Sequence, residues 1–569
     1  MTRLVAGIDV GNATTEVVVA DVGVSPPLPV AWDRAPTRGE KGSRASVAAA
    51  VDLLHRIERR QAVRADLVAV TPQRPVDTTS AVLDEPTPDT GRLRLLATGA
   101  TTPGGSGVGV GRPVRAADPA VPGSGPVVLV AEDPLGFRRT VDDVLRWRAA
   151  GAEVAGVLLA GDEGVLVSRR IGGGVAVVDQ ADVAAALLAS LVALEVGGDA
   201  RPVRALADPV RLAAMLGLGV DEHAHAEAFA RSVRGLGDAA VALVEAGAAP
   251  TPPAPAGWIV DASGARRDVV TAVLDGPQAW LGARALGLPD RHGDVVARDV
   301  DDLWAVDLTA LAADAVLRPG VLRSRALALA SLVSGDDPAP DLAALVRELS
   351  GRDTVLLPSE AAAARAGALT TPGASAHATV VDIGGGTIDL VPGDGAAHVL
   401  AGAGDLVTVA TARLLDIARG QAEWAKRGPS ARVEGPHVLA DEDGTRRFLD
   451  APAAPGTVGW LVVPGPAGLL PFDHRLVPAE WRSLRLRLKR AVLGDNIARG
   501  AAQGATGDVL GDVIVVGGPA GDDEVLDCVA RALPLSVPGR GDVAGMLGNR
   551  WAVAYGLVVL TALGQPPGC

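Results

Sequence analysis

Two short glycine turns, far apart in the chain, limit its fold more than any other feature. In Gly7-Ile8-Asp9-Val10-Gly11-Asn12-Ala13-Thr14-Thr15, the apolar run from Leu4 to Asp9 stops at Gly11 and resumes as Val17 to Ala20, which predicts two strands joined by a tight turn. The aspartate ends a buried strand, and the glycine permits a turn that aims backbone N–H groups and threonine hydroxyls at one point. Such a point suits a phosphate. Hundreds of residues later, Val381-Asp382-Ile383-Gly384-Gly385-Gly386-Thr387-Ile388-Asp389 repeats the arrangement, and a third apolar strand from Val509 to Val516 runs into Gly517 and Gly518. One such turn is an ordinary structural feature. Two of them with a later Val-Val-Gly-Gly make a nucleotide-binding logic: phosphates sit between two hairpins, and Asp9 and Asp382 orient a hydrated Mg²⁺.

The chain has room for more than one core, because 569 residues are several times the usual domain size and 48% of them are hydrophobic. Its 70 glycines and 41 prolines are spread along its length, which reads as globular α/β. The net charge of −14 would repel a polyphosphate backbone, so nucleic acid is not expected as a partner. No charged start leads into an apolar leader, and the Ala/Leu-rich stretch Val183 to Val196 is too short to span a bilayer; no membrane is expected and the cytoplasm is the expected location. Two cysteines, Cys528 and Cys569, cannot make a disulfide framework, a structural zinc site or a four-thiolate cluster. The histidines, His223 and His225 included, have no partners at ligand spacing.

Along the chain, a Pro/Gly-rich stretch from Thr98 to Pro113 precedes strand Val127 to Ala131, helix Val141 to Ala150 and strand Val154 to Leu159, read as an inserted βαβ-type domain that closes near a linker from Ala248 to Ala256. Helical patterns follow through Ala326 to Val333 and Leu342 to Leu349. Residues Gln421 to about Lys489 read as an irregular, Pro-rich insertion, with the turn Asp441-Glu442-Asp443-Gly444 between strand-like segments. No solenoid-type repeat is present. There is no P-loop motif, and the run Gly104 to Gly111 lacks the strand-to-helix context of a dinucleotide fingerprint.

The three glycine segments resemble the phosphate-1, phosphate-2 and adenosine motifs of the actin, sugar kinase and heat-shock ATPase superfamily. Pro358-Ser359-Glu360, with the alanines that follow, is similar to the superfamily's interdomain helix, where Glu360 would help position the attacking water; the plainer reading is that Glu360 only starts an Ala-rich helix. Within the superfamily the chain resembles the large (alpha) subunit of diol and glycerol dehydratase reactivating factors over nearly its whole length. The strings that carry this are Ala6 to Glu16, Thr102-Pro103-Gly104-Gly105-Ser106-Gly107, Asp162-Glu163-Gly164-Val165-Leu166-Val167-Ser168-Arg169, Asp302-Leu303-Trp304-Ala305-Val306-Asp307, Gly367 to Gly373, Leu400 to Thr408, Glu442 to Gly444 and Gly539 to Gly541.

The resemblance implies an α/β, actin-like (ribonuclease H-like) two-lobed ATPase with an inserted swivelling α/β domain and a smaller insert domain. The ATPase parts would be 1–97, 251–415 and 491–569, with the swivelling domain at 98–250 and the insert domain at 416–490. It implies a chaperone-like machine that uses ATP to expel damaged cobalamin from an inactivated adenosylcobalamin-dependent diol or glycerol dehydratase, acting as α2β2 with a reactivase small (beta) subunit. It implies catalytic Asp9, Glu360 and Asp382, and ATP/ADP contacts at Gly11, Asn12, Ala13, Thr14, Gly384, Gly385, Gly386, Thr387, Glu423, Trp424, Ala425, Lys426, Gly517, Gly518, Pro519 and Arg550. Pro519, where relatives often carry serine, and Trp424-Ala425 depart from the family pattern. Thr102, Asp162 and Asp179 match structural metal ligands, an all-oxygen set that suits Mg²⁺ or Ca²⁺, completed by a carboxylate of the small subunit. Read locally, Asp162 is a turn residue and Asp179 an N-cap for the helix after it. Association with a bacterial microcompartment is left open. The rival readings are a small-molecule kinase, an activator of iron–sulfur dehydratases and an actin-like filament protein.

Overall fold

The computed structural model describes the chain except residues 1–2, 40, 73–76, 85–88, 98–104, 124, 133–135, 162, 173, 198–202, 234–235, 246–256, 278–279, 290–294, 318–321, 323–325, 334–341, 394–395, 504–510 and 565–569. The predicted linker Ala248 to Ala256 therefore lies outside the described residues, as do Thr102, Asp162 and Cys569. The chain forms two compact units. One comprises residues 1–85, 255–317 and 323–569, and the other residues 86–254 with 318–322.

The larger unit is built on two sheets with the same plan. In the first, strands Leu28–Pro36, Thr14–Asp21 and Leu4–Val10 are antiparallel neighbours, and Leu67–Val70 and Asp353–Leu356 continue in parallel. In the second, His398–Ala401, Thr387–Val391 and Thr379–Ile383 are antiparallel, and Gly511–Val516 and Ser536–Arg540 continue in parallel. The two glycine turns are thus equivalent corners of a duplicated topology. Parallel strands need helices on both faces. Helices Arg44–Gln61 and Leu342–Ser350 cover one face of the first sheet through Val47, Leu54, Ile57 and Val346. Between the sheets lie helices Glu360–Ala368 and Ala552–Ala562, buried against Val5, Val18, Val380 and Val516. Each fully buried valine or leucine here contributes about 1.5–3 kcal/mol.

The sequence Ala326-Leu327-Ala328-Leu329-Ala330-Ser331-Leu332-Val333 was expected to be helical, and here the structure corrects the reading. It is a strand between Val295–Asp307 and Asp77–Asp84 in a six-stranded sheet, with seven of its eight residues buried. Alanine and leucine favour helix only weakly, and burial on both faces overrides the preference. The insertion is also more regular than its prolines suggest. Strands Ala431–Gly435, Val438–Asp441, Arg446–Phe448, Leu461–Gly465 and Gly468–Asp473 form an antiparallel sheet, and helix Pro478–Lys489 follows.

The smaller unit is a seven-stranded mixed sheet. Val127–Ala131, Val154–Leu159 and Ala176–Val178 run parallel, joined by helices Phe137–Ala149 and Gly164–Ile171. The Pro/Gly-rich stretch ends not as loop but as strand Gly107–Arg115. Its glycines serve close approach: a Cβ at Gly109 would lie 2.0 Å from the Ala155 carbonyl oxygen. The stretch Val183 to Val196 divides into helix Val183–Leu187 and strand Leu191–Val196. Asp182, not Asp179, caps that helix, accepting from the Ala185 N–H at 3.0 Å. Asp179 is buried and accepts from the Gly164 N–H at 3.1 Å, at the start of helix Gly164–Ile171.

Candidate nucleotide site

A cleft of about 830 Å³ lies within the larger unit. Asp9, Gly11, Asn12, Ala13 and Thr14 line it on one side, and Asp382, Gly384, Gly385, Gly386 and Thr387 on the other. Both turns close the same way: Gly11 N–H donates to the Thr14 carbonyl at 3.0 Å, and Gly384 N–H to the Thr387 carbonyl at 2.9 Å. They meet tip to tip, since a Cβ at Gly385 would stand 3.2 Å from that of Ala13. Gly517, at φ +88°, lets its loop reach the second hairpin; a Cβ there would be 2.5 Å from an Asp382 carboxylate oxygen. Gly518 and Pro519 also line the cleft, with the Arg550 guanidinium directly over Gly518.

The cross-strand register puts carboxylate opposite carboxylate in both hairpins, Asp9 opposite Glu16 and Asp382 opposite Asp389. Like charges facing each other across a ladder are unfavourable unless a cation or proton intervenes. Burial, reinforced by Glu360 and Glu16, pushes Asp382 up to about 7 and Asp9 well above the ordinary carboxylate range. Asp389 is raised as well, by burial and then by Glu360 and Asp382. Its Oδ1 is buried with no hydrogen-bond partner among the described residues.

Two cations reach this cluster among the described residues: Arg550 lies 3.8 Å from Glu16, and Lys41 meets Glu360. Lys41 Nζ contacts both Glu360 carboxylate oxygens, at 2.9 and 3.2 Å. Burial alone would lower the ammonium's pKa, but Glu360 and Asp9 outweigh it and raise it. Glu360 opens helix Glu360–Ala368, capped by Ser359, whose Oγ accepts from the Ala362 N–H at 3.2 Å. It is therefore both a helix-starting residue and a wall of the cleft.

On the remaining side, Glu423 and Lys426 line the cleft and Trp424 and Ala425 do not. Helix Arg419–Ala425 turns residues three and four apart to one side, so Glu423, Lys426 and Arg427 share the cleft face. Ala425 is buried, and the Trp424 ring lies 4.3 Å from the Arg427 guanidinium. Lys426 Nζ donates to the Gly404 carbonyl at 2.7 Å and lies 2.7 Å from Glu423 Oε2. Burial lowers Lys426, while Glu423 is held low against its own burial by Lys426.

Sequence reasoning missed Lys41, Glu16, Asp389, Arg427, Lys489 and Asp522, which also line the cleft. Period-two alternation within the two quoted turns could have found Glu16 and Asp389. Nothing in the loop Gly39 to Gly42 marks Lys41, which gains its role only by folding against a residue 319 positions away.

The carboxylate set fits a hydrated divalent ion. Among the described residues no three His, Cys, Asp or Glu side chains converge at direct metal-ligand spacing. Of the second set, Thr102, Asp162 and Asp179, only Asp179 lies among the described residues.

Residues 290–561 match the protein family described as the diol dehydratase reactivase ATPase-like domain, and residues 95–248 the DD-reactivating factor swiveling domain. The chain is 29% identical to the propanediol dehydratase-reactivating factor large subunit of Citrobacter freundii, covering 98% of both chains. It is likewise 29% identical to the diol dehydratase-reactivating factor large subunit of Klebsiella michiganensis, with 98% of each covered. Among solved structures, the nucleotide-free diol dehydratase-reactivating factor aligns with a TM-score of 0.67 and 26% identity over 99% of this chain and all of that one. A glycerol dehydratase reactivase aligns with a TM-score of 0.68 at the same identity and the same coverage.

Proposed function

Because this chain belongs to the diol dehydratase reactivase family, we propose that it is the ATP-hydrolysing large subunit that restores an inactivated adenosylcobalamin-dependent diol or glycerol dehydratase by expelling its damaged cobalamin. The observation that carries the ATPase reading is the pair of glycine turns meeting at Gly385 and Ala13 over buried carboxylates. The kinase reading has no comparable support, since the matching family models and relatives are all reactivating factors.

In this reading the turns Gly11–Thr14 and Gly384–Thr387 supply backbone and hydroxyl donors to the nucleotide phosphates. Asp9, Asp382 and Asp389 would hold the water shell of Mg²⁺, and the ion when bound neutralises the phosphates and the carboxylate pairs. Glu360 orients the attacking water and takes its proton, and Lys41 holds Glu360 in place and offsets negative charge on the phosphoryl group. Glu423, Lys426, Gly517, Gly518, Pro519 and Arg550 would form the adenosine side. Trp424 and Ala425 support that wall from behind and are not proposed as contacts.

Residues 98–250 are taken as the swivelling domain and 416–490 as the insert domain. Asp179, with Thr102 and Asp162, is proposed to bind Mg²⁺ or Ca²⁺ jointly with the small subunit of an α2β2 complex. Among the described residues no helix is long and apolar enough to cross a membrane; a cytoplasmic location, with association to a bacterial microcompartment, is part of the same proposal.

A client that holds cobalamin between its own subunits releases it only when an interface opens, so the reactivase must bind the open state preferentially, and nucleotide state must change that preference. The test is gel filtration of an inactive dehydratase–cyanocobalamin complex with the purified reactivase. With ATP and Mg²⁺ present, cobalamin absorbance should leave the dehydratase peak, and added adenosylcobalamin should restore activity. Cobalamin that stays bound while ATP is hydrolysed, with the small subunit present, would refute the assignment.

A further inference from the structure

Three consecutive glycines, Gly384 to Gly386, form the second phosphate turn, and glycine leaves backbone orientation almost unrestrained. Something else must hold their peptide planes. Each of their carbonyls is taken from the same side by the loop 402–405. Gly402 N–H donates to Gly386 at 2.9 Å, Gly404 N–H to Gly384 at 3.2 Å and Asp405 N–H to Gly385 at 2.7 Å. In a planar trans peptide the following N–H points away from the carbonyl. Tying the three carbonyls therefore turns the N–H groups of Gly385, Gly386 and Thr387 away from the loop.

The loop is itself anchored from behind, by residues that do not line the cleft. Ala401 N–H donates to Asp302 Oδ2 at 2.8 Å, and Asn496 Nδ2 donates to the carbonyls of Ala401 and Gly402 at 2.7 and 3.0 Å. Arg499 grips both Asp302 oxygens, at 2.6 and 2.7 Å, and donates to Asn496 Oδ1 at 2.7 Å. Asn496 is fully buried, and the Arg499 and Asp302 side chains are 7% and 15% exposed. Gly402, at φ +89°, packs on Trp304, whose ring lies 5.0 Å from the Arg499 guanidinium. A bidentate, nearly dry ion pair with a carboxamide locked to it is a rigid support.

We propose that Asp302, Arg499 and Asn496 are positioning residues for nucleotide phosphate binding: they fix the loop 401–405, which in turn holds the Gly384–Gly386 carbonyls so that the turn's N–H groups are set for phosphate before nucleotide arrives. This rests on the ATPase reading above. Preorganised donors bind phosphate without first paying for their own ordering.

The test compares Mg·ADP and adenosine affinities of the full-length chain by calorimetry, alongside the melting temperature without nucleotide. In the double variant Asp302→Leu/Arg499→Met, apolar side chains replace the buried pair, which keeps the fold close to neutral in stability. Its ADP affinity should fall on the order of tenfold or more, the scale expected for supporting-shell loss, while adenosine affinity holds. Arg499→Lys, which keeps charge but loses the two-pronged grip, should fall between it and wild type. Asn496→Ala leaves the ion pair in place and carries the same expectation, so the proposal stays testable if the double variant fails to fold. A folded double variant or Asn496→Ala with the wild-type ratio of ADP to adenosine affinity overturns the proposal. Absence of ADP binding by the unmodified chain would instead sink the nucleotide reading, and this inference with it.

Discussion

Gly556 sits so close to Ala363 that a Cβ on it would lie 1.8 Å from the Ala363 carbonyl oxygen. The relation is reciprocal, since a Cβ on Gly367 would lie 1.9 Å from the Ala552 carbonyl oxygen. Ala363-x-x-x-Gly367 and Ala552-x-x-x-Gly556 therefore bring two helix backbones into direct contact between the two sheets. Since the obstructing atoms are backbone, no rotamer change relieves a clash. Gly556→Ala should cost about 1–3 kcal/mol by overpacking, more than a surface Gly→Ala change that would ordinarily favour helix. Urea unfolding of Gly556→Ala and of Gly420→Ala, an open position, checks this. Equal stability of the two variants would count against it.

Lys41 and Glu360 form an ion pair at 2.9 Å, beside the glutamate proposed to position the attacking water. Lys41→Met should lower ATP turnover by about two orders of magnitude, the usual scale for losing a preorganised charge at a developing negative centre. ADP affinity should stay near that of wild type if Glu360, beside the lysine, acts on the attacking water as proposed. Steady-state turnover with ADP titration separates the two; a loss of ADP binding equal to the loss of turnover would assign Lys41 to ground-state binding.

Asp382 and Glu16 are each raised to about 7, from ordinary values of 3.8 and 4.5. Burial is the first cause in both, offset in Glu16 by Arg550 and Arg34. The folded state therefore holds protons that the unfolded chain has already released between about pH 4 and 7. The stability linked to these groups is present in full below the unfolded values and is lost as pH rises through about 7. Relative to Glu16→Gln/Asp382→Asn, the melting temperature of the nucleotide-free chain should fall between about pH 4 and 7. A cation at the site favours the ionised carboxylates, so Mg·ADP binding should release protons and tighten over the same range. Calorimetry in buffers of different ionisation enthalpy reads that release; proton uptake would contradict it.

Arg485 is fully buried and bidentate to Glu442, at 2.6 and 2.9 Å, and to Glu524, at 2.9 and 2.6 Å. Its partners keep it charged in spite of burial, raising its pKa above the ordinary value. Glu442 comes from the insert turn and Glu524 from helix Asp523–Ala532, so the guanidinium joins two elements as well as two charges. Arg485→Met would take the guanidinium from two recessed carboxylates, leaving Glu442 to Ser430 and Glu524 to Lys489, and should destabilise the fold by about 3–5 kcal/mol. Arg485→Met with Glu442→Gln and Glu524→Gln should recover much of that. Chemical unfolding of the two variants decides it, and no recovery would mean that packing, not charge, sets the cost.

The sequence alone determined the two glycine turns, because their information is local: a strand-ending aspartate, a glycine the turn requires and small residues after it. Asp9, Gly11, Asn12, Ala13, Thr14, Asp382 and Gly384 to Thr387 reach one cleft as that pattern implied. It also determined the βαβ core of the smaller unit, where apolar runs alternate with an amphipathic helix. What it could not determine depends on contacts between distant segments. Ala326–Val333 is a strand because neighbours on both edges take its backbone hydrogen bonds, which no count of its own alanines and leucines records. Lys41 meets Glu360, and Arg499 meets Asp302, only because the folded sheets bring separated residues together. Trp424 and Ala425 were placed by their position in a string, whereas the turn of one short helix gave the cleft face to Glu423 and Lys426. Local chemistry can be read along the chain, but which charges face one another is decided by long-range packing, since Coulomb and hydrogen-bond energies depend on distance in space.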